Sequence, residues 1–213
     1  MLLTRHTRAC VELASELARI VIDPGEFGTP VDLTGIDAVF ITHDHFDHVS
    51  HELLQREVDR RASLDHTSLR IFGPHAFAEK AAYDVTPMQE GDRVTVDDID
   101  VQAIGQWQEP GSLTEPRIQN IGYVIDGRIL HSGDAYQQVD GIQILLVPLA
   151  APWIRITEIQ RNIRQLQPST LIGMHDIQLG DVGLTFAAKT LQSLAEDIQA
   201  QAVWLTPGQS ITV

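Results

Sequence analysis

Cysteine occurs once, at Cys10, so no disulfide can form within the chain and nothing points to an oxidising compartment. Basic residues are scarce as well: 15 Lys and Arg stand against 29 Asp and Glu, a formal net charge of -14. Such a surface repels phosphate backbones, which argues against nucleic acid as a partner. Near the N-terminus the apolar residues are broken by Glu12, Glu16 and Arg19. That is neither a signal-peptide core nor a membrane span, so a cytoplasmic protein with no membrane partner is expected. What is present is an ordinary globular composition, 43% hydrophobic and 21% charged over 213 residues. It suffices for one sizeable core, and residues 1–213 read as a single domain.

Short apolar runs alternate with turn residues along the whole chain. Residues 19–23, 37–42, 69–73, 93–98, 99–105, 143–149 and 169–175 read as strands from their β-branched and aromatic content. Asp126-Gly127 joins two further strands in the strongest hairpin signal of the sequence. Helices are expected over 50–62, capped by Ser50, over 74–83 behind Pro74, over 154–167 and over 183–200. In the third of these, Ile156, Ile159, Ile163 and Leu166 share one face. The segment 9–20 fits a helix by Leu13, Leu17 and Ile20, and a hairpin by the break at Ser15-Glu16. Strands come in consecutive pairs in both halves, so two sheets with helices outside fit better than one doubly wound sheet.

The stretch 38–50, "AVFITHDHFDHVS", ends a buried strand in His43, Asp44, His45, Asp47 and His48. Imidazoles at i and i+2 just past a rigid strand can face one ion, and zinc takes both imidazole nitrogen and carboxylate oxygen. Asp and Ser also suit a helix N-terminus, but three His so close exceed what capping uses. Two other apolar strands end in candidate ligands, at Asp134 in "ILHSGDAY" and at His175 in "TLIGMHD". Asp44 reads as solvated. Trp107 and Trp153 read as packing at sheet ends, and Arg117 and Arg155 as surface ion-pair partners.

"THDHFDH" resembles the His-x-His-x-Asp-His signature of the metallo-β-lactamase superfamily, and Gly133–Ala135 and His175 match its following motifs in order. Within it, "MLLTRHTRACVEL", "VIDPGEF" and "NIGYVIDGRILHSGDAY" look most like small intracellular hydrolases related to the ascorbate-6-phosphate lactonase group. The resemblance implies an α/β fold, a four-layer αββα sandwich with metals at one edge of the sheets. It implies one ion on His43, His45 and a further His, and a second on Asp47, His48 and His175, with Asp134 between them. Asp47 would also orient the water or pass a proton. The cofactor implied is zinc, as one or two divalent ions, with manganese or iron able to use the same ligands. The partner implied is a small-molecule ester, lactone or phosphoester.

Two positions depart from that pattern. Gln108 stands where the third His of the first site is expected, and an amide oxygen is a poorer zinc ligand than imidazole. Glu109 is a carboxylate, but along a strand it would face the other way. Arg8 stands where this branch often carries His, and in the site it would disfavour a nearby cation. A one-ion hydrolase, a two-ion hydrolase completed by Gln108, Glu109 or water, and a non-catalytic metal-binding or interaction protein all remain open at this point. Oligomeric state is not legible.

Overall fold

Alternate burial settles the ambiguous N-terminal segment as a hairpin. Val11 and Leu13 are buried while Glu12 and Ala14 are half-exposed, the period of a strand. The Ser15 hydroxyl accepts hydrogen bonds from the backbone N–H groups of Leu17 and Ala18, at 3.2 and 2.9 Å, and closes the turn that a helix would not need. The computed structural model describes residues 1–112, 114 and 116–213.

The first half supplies β1 (Leu2–Arg5), β2 (Val11–Ala14) and β3 (Arg19–Ile22), an antiparallel meander. Three strands parallel to β3 follow: β4 (Ala38–Phe40), β5 (Arg70–Pro74) and β6 (Thr86–Met88). Helix α1 (His51–Ser63) connects β4 to β5, and α2 (His75–Ala78) connects β5 to β6. The second half repeats the plan. Antiparallel β7 (Arg93–Val96), β8 (Ile99–Ile104), β9 (Gly122–Ile125) and β10 (Ile129–His131) lead into parallel β11 (Ile144–Pro148), β12 (Thr170–Met174) and β13 (Gln201–Val203). Helices α3 (Ile156–Leu166) and α4 (Asp181–Asp197) make the last two crossovers. Strand β14 (Ser210–Thr212) returns to pair with β1, so each sheet has seven strands among the described residues.

Side-chain alternation assigns the layers. Phe40 and Ile20 of one sheet pack with Tyr123, Leu146 and Ile172 of the other in the central core. On the outer faces, Val39 and Ile71 meet Leu53 and Leu54 of α1, while Leu145 and Leu171 meet Ile159, Ile163 and Leu191 of α3 and α4. This is the αββα sandwich expected, with two mixed sheets inside two helical layers. The α1 start is as read: Ser50 accepts a hydrogen bond from the N–H of Leu53 at 3.3 Å.

Some expectations fail. Strands β1 and β6 lack an alternating pattern in the sequence itself, Leu-Leu-Thr-Arg and Thr-Pro-Met, so only the structure shows them. Helix α2 stops at Ala78 rather than 83, because the chain beyond it is tied sideways: Lys80 reaches Asp44 and Tyr83 reaches His51. Ile156 is exposed at the very start of α3, so the buried stripe of that helix is Ile159, Ile163 and Leu166. Among the described residues, no helix is long and apolar enough to cross a membrane.

Candidate metal centre

Strand β3 runs parallel to β4, and β10, β11 and β12 run parallel to one another, so their C-terminal ends can share an edge. Side chains at such ends are held by rigid scaffold on one side and open to ligand on the other. Here β3 delivers Asp23, β4 delivers His43 and the turn to His48, β10 delivers Asp134, and β12 delivers His175. The distant segments meet. His48 Nε2 lies 3.1 Å from His175 Nε2 and 3.2 Å from Asp134 Oδ1, and His175 Nε2 lies 3.1 Å from the same Asp134 oxygen. His43 Nε2 is 3.1 Å from His45 Nδ1 and 3.8 Å from Asp134 Oδ2. Asp47 Oδ2 stands 3.8 Å from His48 Nε2. Two groups of donor atoms lie close enough to share an ion, His43 with His48 and Asp134, and Asp47 with His48 and His175.

Donor atoms around a tetrahedral zinc ion at about 2.1 Å stand about 3.4 Å apart. The triangle of His48, His175 and Asp134 is close to that size on every side. Its carboxylate corner is a buried oxygen, Asp134 Oδ1, whose close partners are the two imidazole nitrogens. A buried carboxylate is costly unless something positive balances it, a proton on those imidazoles or an ion in their place. The residues therefore fit a divalent ion in donor type, spacing and need.

Asp23, which the sequence reading did not single out, fixes the ring of His48. Its Oδ1 accepts from the Thr42 N–H at 2.7 Å, and its Oδ2 from the Thr42 hydroxyl at 2.7 Å and from His48 Nδ1 at 2.6 Å. That leaves His48 Nε2 facing Asp134, the carboxylate–histidine arrangement common behind metal ligands. The signal was present in "VID", an Asp ending a buried strand, and Asp23 adopts a positive φ of 53°. Gly25 follows it, packed so tightly that a Cβ there would overlap the Asp47 carbonyl. His175 is also held at positive φ, with its N–H donating to the Arg8 carbonyl at 2.9 Å and its Nδ1 paired with the Ala150 carbonyl at 3.0 Å.

Three side chains take roles other than those read from sequence. Arg8 does project into the site: its Nε and one terminal nitrogen donate to Asp47 Oδ2 at 2.9 and 2.6 Å, and its other end donates to Gln178. Trp153 packs edge-on to Tyr136, as a structural Trp would, but its indole N–H also donates to Asp134 Oδ2 at 2.9 Å. Asp44 is not free in solvent. It pairs with Lys80 Nζ at 2.8 Å and with His51 Nε2 at 3.1 Å, because its turn lies against the segment after α2.

Asp134 alone of the triangle, together with Arg8, His45 and Asp47, reaches a cleft of about 410 Å³ lined by Phe27, Phe46, Gln108, Glu109, Arg117 and Trp153, while His48 and His175 are fully buried behind it. Gln108 and Glu109 both line it. Strand β8 ends at Ile104, so the alternation that would send Glu109 away no longer applies. His131, the nearest alternative imidazole, is buried against the Ala9 carbonyl at 2.8 Å and supplies no ligand. Arg117 lies over the Trp107 ring at 5.6 Å.

Burial opposes a charge on His48, but the Asp134 and Asp23 carboxylates outweigh it and raise its pKa to about 10. Burial also pushes the Asp134 carboxyl up, and the charges of His175 and His48 reverse this and hold it well below the usual range. His43 is driven well below its ordinary value, first by burial and then by His48. A metal ion at His48 Nε2 must displace a proton held up to about 10, so affinity is expected to rise with pH, close to tenfold per unit through neutrality. Calorimetric titration with zinc at pH 7.5 in buffers of different ionisation enthalpy checks this: about one proton leaves per ion.

The family described as the beta-lactamase superfamily domain matches residues 2–175. The chain belongs to this family. It is 27% identical over 184 residues to the protein Rv0786c of Mycobacterium tuberculosis, covering 82% of this chain and 84% of that one. Its fold is similar to the metallo-beta-lactamase fold protein YhfI of Bacillus subtilis, with a TM-score of 0.74, 16% identity and coverage of 96% and 92%. It is also similar to Igni18, a metallo hydrolase of Ignicoccus hospitalis, with a TM-score of 0.69, 17% identity and coverage of 99% and 97%. At such identities the structural likeness establishes the fold. The match to the family covers β1 to β12 and every side chain of the triangle.

Proposed function

We propose that this chain is a metal-dependent hydrolase of a small ester, lactone or phosphoester, acting as one cytoplasmic domain on a small-molecule substrate. The observation that carries this reading is the triangle of His48, His175 and Asp134, with Asp134 reaching a cleft sized for a small organic molecule. His43, His45 and Asp47 complete the candidate ligand set around it. Zinc is the ion best suited to these donors, and manganese or iron is served by the same set. A bound divalent ion supplies Lewis acidity there, making water nucleophilic near neutral pH and stabilising charge that develops on the substrate oxygen.

The protein groups do the rest. Asp47 is the proposed proton carrier: it is ionised, reaches the cleft, and is held in place by two hydrogen bonds from Arg8. Phe27, Phe46 and Trp153 wall the cleft and keep water from competing with the substrate. In a chain of net charge -14, Arg117 and the Asp47-paired Arg8 give this cleft guanidinium groups toward an anionic substrate group. The lactonase-like grouping supports lactones and phosphorylated lactones as the first substrates to try.

The test is hydrolysis by protein stripped with a chelator and reloaded with zinc, manganese or iron, assayed on lactones, aryl esters and phosphodiesters. Turnover of at least one class is expected only after reloading. Tight metal binding with no turnover of any class would favour the non-catalytic alternative that Gln108 raises.

A further inference from the structure

Charge is scarce on the outer face of α4. Between Asp181 and Glu196 that helix carries one charged residue, Lys189, whereas the shorter α1 carries six and α3 three. In a chain of net charge -14, this is a helical face on which two copies can approach with little repulsion. Ala187, Leu191, Leu194 and Ala195 turn inward, so Val182, Phe186, Lys189 and Ser193 form the outward row. Val182 and Phe186 stand one turn apart in that row, 72% and 67% exposed. A lone exposed apolar side chain is ordinary, as Leu17 is at its hairpin turn. Two on one helical row, led in by the exposed Ile177, make a patch.

The charges around the patch indicate what covers it. Asp181 precedes the apolar pair and Lys189 follows it. Both are exposed, and among the described residues neither is in an ion pair, the ion pair of this helix being Asp197 with Arg164 at 2.6 Å. The helical step places Asp181 and Lys189 on the same flank of the row. An antiparallel two-fold pair of α4 helices meeting between Thr185 and Phe186 keeps that flank together. It sets each Lys189 across from the second copy's Val182, within one residue of its Asp181. A parallel pair would set like charges side by side. We propose that α4 is the contact surface of a symmetric dimer of this chain, with Val182 and Phe186 at its centre and an Asp181–Lys189 pair at each end. The face is complementary to itself in both apolar order and sign, as an isologous interface requires. Phe186 is the anchor, an aromatic ring at the centre with a polar rim around it. One helical face is a small interface, so the dimer is expected to be weak, with a dissociation constant on the order of 1–100 μM.

Sedimentation velocity of the full chain at low salt, from about 1 to 300 μM, tests this across the expected range. The wild type is expected to pass from monomer to dimer. Phe186→Glu is expected to raise the dissociation constant at least about 30-fold, with a melting temperature within about 2 °C of wild type because the ring is exposed. Lys189→Glu is expected to weaken the dimer about three- to tenfold, and Asp181→Lys added to the same chain to restore it. That recovery separates an antiparallel pair of α4 helices from general apolar stickiness. A wild type that stays monomeric, a dimer indifferent to Phe186→Glu, or no recovery in the charge-swapped chain would overturn the inference. A monomeric wild type that cosediments with phosphatidylcholine vesicles through Phe186 would overturn it in favour of a bilayer surface. Should Phe186→Glu fail to fold, Val182→Asp carries the same expectation.

Discussion

Asp134→Ala lowers zinc affinity by more than about 100-fold and abolishes metal-dependent turnover, while the chain still folds. Asp134 is the single carboxylate of the triangle, and its Oδ1 stands 3.1 and 3.2 Å from the two imidazole nitrogens. Without it, the two imidazole nitrogens 3.1 Å apart remain, with Asp47, already paired to Arg8, as the carboxylate left beside them. Loss of a residue behind a ligand typically costs about 10–100-fold in affinity, and loss of the ligand itself costs more. Folding should survive, because the loop is also pinned through Asn120, whose side chain accepts from the Asp134 N–H at 2.9 Å and donates to the Ser132 carbonyl at 2.9 Å. Chelator competition gives the affinity, and a thermal melt without metal confirms that the protein is folded. An affinity within threefold of wild type would show that the ion, if bound, sits elsewhere.

Arg5→Met destabilises the fold by about 3–5 kcal/mol, the usual effect of stripping one partner from a buried ion pair. Arg5, on β1, is almost fully buried and donates to Asp176 and to the Leu205 carbonyl. Asp176 is itself buried and adjoins His175. Removing the guanidinium leaves its carboxylate without a cation and loosens the turn that holds a ligand. In a chain of this length such a loss lowers the melting temperature by roughly 10 °C. The double variant Arg5→Met, Asp176→Leu should recover part of the loss, since an apolar pair avoids the uncompensated charge. A melt within 2 °C of wild type for Arg5→Met would refute the claim that this pair braces the His175 turn.

How much of this was legible in sequence depends on how local the physics is. His43, His45, Asp47 and His48 lie within six positions, and Asp134 and His175 each end an apolar strand, so donor chemistry and strand pattern together pointed to them. Period-two alternation and turn residues gave the paired sheets. Segment 9–20 resisted because its leucines satisfy two periods at once, and only pairing with β1 and β3 chooses between them. Trp153 was legible as a packing residue but not as a donor to Asp134, because that contact depends on how the turn after β11 folds back. Arg8 was legible as a departure, yet its grip on Asp47, 39 positions away, belongs to the tertiary structure. The same holds for Arg5 and Asp176, separated by 171 positions. Asp23 left a mark in the sequence, an acid closing a buried strand, but its pairing with His48, 25 positions away, belongs to the tertiary structure.

The central claim is that separate strands deliver His48, His175 and Asp134 to one cation. Anomalous diffraction from crystals soaked in manganese or zinc tests it most directly. The account predicts a single strong peak within bonding distance of His48 Nε2, His175 Nε2 and Asp134 Oδ1. A saturated soak with no peak there, or with peaks only at surface carboxylates such as Asp197, would contradict it.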